Sequence, residues 1–206
     1  MDVVALAEAE RSDLAALLAT LEPGDWDAPT LCAGWRVRDV VAHVVSYDGL
    51  DLAGLGRRFV QGRFSVDRTN ALGVSAHDGR TPAELVALLH EHRSPRGLTA
   101  GFGGRIALVD GLIHTQDIRR PLGLPREVPP ERLRVALPFA LAAPPVRGLW
   151  HVRGLRVVAT DLDWAAGRGP EVRGPGEAVL MAIAGRAGIA RELSGPGADR
   201  LARRLG

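Results

Sequence analysis

Three residues have the types and spacing of an open metal site: His43, Asp110 and His114. His43 closes the run Gly34-Trp35-Arg36-Val37-Arg38-Asp39-Val40-Val41-Ala42-His43, whose apolar spacing predicts the start of an amphipathic helix. Asp110 and His114 lie in Ala107-Leu108-Val109-Asp110-Gly111-Leu112-Ile113-His114, a second helical pattern. A separation of four residues puts the carboxylate and the imidazole on one helix face, one turn apart. With a histidine from a neighbouring helix, three protein ligands result, the number used by catalytic zinc sites that keep a position open for water or substrate.

Other polar residues surround this set in the sequence. Asp117, one turn beyond His114, is spaced either to orient the imidazole as a hydrogen-bond acceptor or to pair with Arg119 or Arg120. Asp39, one turn before His43, has the same two readings. Tyr47, one turn after His43, is expected in packing. Arg186, in the pair Gly185-Arg186, has a planar fork suited to a substrate or thiol carboxylate; the competing reading is a surface arginine after a helix. His77, His90, His92 and His151 lack comparable neighbours and are expected at the surface. Trp26 and Trp35 read as packing anchors, and Cys32 as an inert residue in an apolar turn rather than a ligand.

The elements that must carry these residues are mostly helical. Helices are predicted over 3–21 and 37–59, followed by a polar loop to residue 80. Thr81-Pro82-Ala83-Glu84 is a helix start, with a threonine cap, proline at the first position and glutamate at the third, and the helix runs to about residue 93. A fourth helix is predicted over 105–120. Four amphipathic helices make a bundle the most economical fold for residues 1–124. Residues 125–146 read as a proline-rich connection with a short helix. Residues 147–206 change period: Gly154 to Thr160 is β-like, Asp163 to Gly167 suggests its hairpin partner, and helices are expected over 176–185 and 198–205. The class is therefore α+β, a four-helix bundle followed by a small α/β domain.

The composition of the 206 residues excludes several functions. There are 26 basic and 24 acidic residues, a formal net charge of +2, and every basic residue is arginine. The arginines are scattered and aromatics make up 4%, so neither a phosphate-tracking stripe nor a base-stacking platform is expected. The longest apolar stretch, Val135 to Val146, is broken by Pro138, Pro144 and Pro145 and is too short for a membrane span. Asp2, Glu8 and Glu10 are wrong for a signal peptide, and a single cysteine suits a reducing compartment. A cytoplasmic protein without membrane or nucleic-acid partners is expected.

Four segments together resemble the mycothiol-dependent maleylpyruvate isomerase-like family, within the DinB-like bundle superfamily. They are Trp26-Asp27-Ala28-Pro29-Thr30-Leu31-Cys32-Ala33-Gly34-Trp35 with the following Val37 to His43, then His114 to Gly123, then Ala159-Thr160-Asp161-Leu162-Asp163-Trp164, and Gly174-Pro175-Gly176 with Gly185-Arg186. The resemblance implies a divalent metal, zinc above all, held by His43, Asp110 and His114. It implies mycothiol as cosubstrate, held as a thiolate, and a small electrophile as partner, undergoing cis–trans isomerisation or thiol transfer in a monomer or homodimer. The all-arginine style fits the actinobacterial origin that mycothiol implies. Better-studied relatives carry glutamate where this chain has Asp110, one methylene shorter. That departure motivates the alternative, a non-catalytic small-molecule binder or a bundle with a vestigial site.

Overall fold

A computed structural model describes residues 2–206, which divide into two compact units, 2–125 and 126–206. The first contains α1 (Val3–Leu18), a 3-10 turn (Pro23–Asp27), α2 (Val37–Val45), α3 (Leu52–Gln61), α4 (Val66–Ser75), α5 (Pro82–Glu91) and α6 (Arg105–Arg119). Four of these close a ring: α1 packs on α6, α6 on α2, α2 on α5, and α5 on α1. Their inward faces bury Leu14, Leu17, Leu18, Val37, Val40, Val41, Val44, Leu85, Leu89 and Ile118, the apolar stripe expected of a bundle.

Local chemistry fixes the helix ends. The Asp2 carboxylate accepts from the Val4 and Ala5 amides, and Thr81 with Glu84 forms the expected capping box on α5. The helix predicted over 37–59 is instead two helices. Ser46 turns its amide and hydroxyl back to the His43 carbonyl, and Asp51 starts α3 by accepting from the Gly54 amide. Between them, Asp48 is drawn into a buried ion pair with Arg11, whose fork reaches it at 2.9 and 3.1 Å. The Arg96 amide and the Thr99 hydroxyl also donate to Asp48, and Arg11 donates to the His92 carbonyl. This cluster ties α1 and the end of α2 to the segment leading into α6.

The loop expected over 60–80 contains a further helix, α4. Its Asp, Asn, Gly, Ser and Thr residues are weak helix formers, but packing against α2 and α3 overrides that preference. Ser65 caps it, and Thr69 is fully buried, its hydroxyl on the Ser65 carbonyl.

The second unit contains α7 (Pro130–Ala142), α8 (Gly148–His151), β1 (Arg156–Ala159), β2 (Trp164–Gly167), β3 (Glu171–Gly174), α9 (Gly176–Ile183), a 3-10 turn (Ile189–Glu192) and α10 (Ala198–Leu205). The sheet order is β2-β1-β3: β1 pairs antiparallel with β2 from Arg156↔Gly167 and parallel with β3 from Arg156↔Glu171. The β1–β2 hairpin was expected; β3 was not. Helix α9 covers β1 and β3, burying Val157, Val172, Val179 and Leu180. The helix that the sequence places in a connection, α7, is built into this unit against α9 through Leu133, Ala136, Leu137 and Ala140. Among the described residues no helix is long and apolar enough to cross a membrane.

Candidate metal centre

Helix α6 is buried along almost its whole length, from Ala107 to Ile118, because α1 and α2 both pack on it. Gly111 allows the close approach of α1, since a Cβ there would meet the Glu10 side chain at 2.9 Å. Asp110, His114 and Asp117 follow one another on this helix at intervals of four and three. Helix α2 presents His43, 6% exposed, beside them.

The structure brings all three expected ligands together. The Nε2 atoms of His43 and His114 each lie 3.4 Å from the same oxygen, Oδ1 of Asp110, and one donor atom from each residue lies within 4.8 Å of the others. The imidazole rings are 4.8 Å apart and nearly perpendicular. An N–H···O hydrogen bond closes to about 2.7–3.2 Å. Two ligands roughly 2.0–2.1 Å from a tetrahedral ion stand about 3.3–3.4 Å apart. The observed separations match the second geometry.

Behind His114, Nδ1 donates to Oδ2 of Asp117 at 2.9 Å, which leaves Nε2 facing Asp110. Asp117 is fully buried. Its Oδ2 also accepts from the Cys32 thiol at 3.0 Å. Cys32 is thus more than packing. Its amide donates to the Thr30 hydroxyl, Trp35 donates back to its carbonyl, and the Leu31 amide donates to the Asp117 carbonyl, so the loop is stapled to α6. Cys32, His114 and Asp117 also group as possible ligands. A sulfur and an oxygen on one zinc-like ion stand about 3.6 Å apart, so 3.0 Å is a hydrogen bond.

Charge follows from this geometry. Burial alone pushes the Asp110 carboxyl up, but the neighbouring imidazoles of His114 and then His43 outweigh it and hold it far below the usual range. Burial works against a charged His114, yet Asp110, Asp117 and Cys32 together raise it well above the usual imidazole value.

The remaining candidates fall as follows. Asp39 does not reach His43: its carboxylate takes the Arg36 amide at 2.9 Å and the Arg36 Nε at 3.0 Å, closing the start of α2. Tyr47 packs edge-on to His43 at 6.0 Å and donates to Asn70 Oδ1 at 2.6 Å. Burial pushes its hydroxyl up to about 12, Arg58 opposing and Asp110 adding. Trp35 lies tilted 5.1 Å from His43, while Trp26 is in the core. His90 is exposed; His77, His92 and His151 are half-buried, and His151 Nδ1 bonds the Ile183 carbonyl at 2.8 Å. Arg186 lies in the second unit just past α9, where Nη1 donates to the Ala184 carbonyl at 3.1 Å.

Comparison with known proteins adds the lineage. Residues 7–96 match the mycothiol maleylpyruvate isomerase N-terminal domain. The matched segment lies within the N-terminal unit. His43 lies inside the matched segment, whereas Asp110 and His114 lie beyond its end. Two solved structures share the fold. One is a histidine-to-alanine mutant of the mycothiol-dependent maleylpyruvate isomerase, with a TM-score of 0.62 at 15% identity, covering 95% of this chain and 92% of that one. The other is the mycothiol-dependent maleylpyruvate isomerase itself, with a TM-score of 0.56 at 14% identity and the same coverage. No curated protein matches the chain.

Proposed function

We propose that His43, Asp110 and His114 hold a divalent ion, zinc by the character of the donor set, and that the protein uses it with mycothiol on a small electrophile. The observation that carries this reading is the pair of 3.4 Å separations converging on one carboxylate oxygen, too long for a hydrogen bond and right for a shared ion. When bound, such an ion supplies an open coordination position that lowers a thiol's pKa and keeps it as the nucleophilic thiolate.

The chain's own residues do the rest. Asp117 holds the Nδ1 proton of His114, so the other nitrogen is presented as a lone pair. Cys32 and the Leu31 amide hold Asp117 in turn. Tyr47 and Trp35 flank His43 with aromatic surface and limit its rotation. Addition of a thiolate to an activated C=C bond, rotation and loss of the thiolate gives isomerisation; displacement of a leaving group gives transfer. The family matched within the first unit favours the isomerase. The shorter Asp110, which motivates a non-catalytic reading, stands equally far from both imidazoles. This reading assigns Arg186 no step.

The test is turnover of maleylpyruvate with mycothiol by the zinc-loaded protein. His43→Ala is expected to keep its fold by circular dichroism and lose the thiol-dependent rate. Unchanged turnover in that variant contradicts the proposal.

A further inference from the structure

The fold of the second unit gathers arginines that the sequence keeps apart. Arg147 precedes α8 and Arg153 follows it, while Arg200, Arg203 and Arg204 come from α10, which packs on α8. Arg204 Nη1 donates to the His151 carbonyl at 2.6 Å and to the Arg153 carbonyl at 3.1 Å, and Arg200 Nη1 donates to the Gly154 carbonyl at 3.3 Å. These partners are all backbone. Among the described residues no carboxylate lies within ion-pair distance of any of the five; the ion pairs of this unit's sheet join Arg156 and Arg173 to Glu171 instead. Burial first, then the charges of Arg153 and Arg200, lower Arg204 from its ordinary value. Like charges gathered without an acid repel one another, and an anion laid across them removes that repulsion.

Apolar surface stands beside these charges. Leu149 is 64% and Trp150 62% exposed, neighbours on the single turn of α8, and the Arg153 guanidinium lies over the indole, 3.8 Å from its centre. The turn is held from below. Gly148 and Val152 are buried, and a Cβ at Gly148 would meet the Ala140 carbonyl and the Ile183 side chain at 2.7 Å. His151 Nδ1 is fixed on the Ile183 carbonyl, and Arg147 enters the turn at φ 58°, left-handed backbone that a residue with a Cβ adopts at a cost. Leu149 and Trp150 are therefore presented outward in one arrangement.

The combination selects the partner. A phosphate polymer or an acidic peptide would use the arginines and could stack on the indole, but offers no counterpart for Leu149. The boundary of a bilayer takes both, with apolar side chains between headgroups and acyl chains and guanidiniums on the phosphates. We propose that the face formed by α8 and α10 docks on an anionic lipid surface, through Leu149 and Trp150 in the headgroup boundary and the five arginines on lipid phosphates. The expectation of no membrane partner rested on spanning segments, and a peripheral contact needs none. The face consists of residues of the second unit alone, so this proposal and the metal reading stand or fall separately.

The test is co-sedimentation of the full-length protein with vesicles of phosphatidylcholine, and of phosphatidylcholine and phosphatidylglycerol in equal parts, at low and at high salt. Binding to the mixed vesicles only, lost at high salt, is the expected result. The double variant Arg147→Gln, Arg203→Gln is expected to weaken it about tenfold or more without lowering the melting temperature, since neither side chain is bonded within the described residues. Trp150→Ala is expected to weaken it about fivefold and to keep the salt dependence, because it removes apolar contact and no charge. A wild type that ignores the mixed vesicles, binds both kinds equally, or is matched by the variants overturns the proposal. Retention of wild type on heparin without vesicle binding also overturns it, and assigns the face to a soluble polyanion.

Discussion

His114 is held by carboxylates at both ring nitrogens, Asp110 toward Nε2 and Asp117 on Nδ1. Asp110, Asp117 and Cys32 raise His114 above its ordinary value, so an ion taken up at Nε2 competes with a proton there. The signs of the two shifts are opposite. Asp110, held down, contributes stability above its unfolded value and loses it as pH falls through its folded one. His114, held up, contributes stability below its unfolded value and loses it as pH rises through its folded one. Zinc uptake is thus expected to release a proton and to weaken as pH falls; calorimetry in buffers of different ionisation enthalpy checks this, and uptake without proton release contradicts it. Asp117→Asn is expected to keep zinc stoichiometry but weaken affinity roughly 10–100-fold, read by chelator competition, with unchanged affinity as the contrary result. That Asp110 and His114 share one helix face was legible because a spacing of four on a helix is a geometric statement. Cys32 was not, because its partners lie 82 and 85 residues away. Asp39 misled because its spacing to His43 is equally good, but Arg36 is nearer and supplies both an amide and a guanidinium.

At the scale of elements, the sequence located the ring of α1, α2, α5 and α6 from periodicity and caps. It failed where tertiary contacts override local preference. The apolar pattern continues from α2 into α3, and the burial of Asp48 against Arg11, with Ser46 closing α2 and Asp51 capping α3, explains why the chain turns between them. Both side chains are almost wholly buried, 1% and 0% exposed, so removing one leaves an uncompensated charge inside. Arg11→Ala is expected to destabilise by about 3–5 kcal/mol in denaturant melts, since it orphans Asp48. A loss no larger than that of an ordinary surface substitution contradicts the role given to this pair. Helix α4 escaped because its residues favour loops, and β3 because four residues ending at Gly174, before Pro175, carry no readable alternation.

For the whole molecule, the α+β class was legible and the extent of each unit less so, since α7 looks like a connection until its packing on α9 is seen. The solved isomerase structures keep this fold at 14–15% identity, consistent with patterning and volume, rather than particular side chains, specifying a core. Function demands more than the fold, and in the proposed reading the demand falls on three donor atoms supplied by two helices of the first unit. The most direct measurement is metal content by elemental mass spectrometry on protein purified without a metal-binding tag, beside His43→Ala and Asp110→Ala. Near-stoichiometric zinc in wild type, lost in both variants while they stay folded, is the expected result. A wild type that is empty and takes up no added divalent ion contradicts the account.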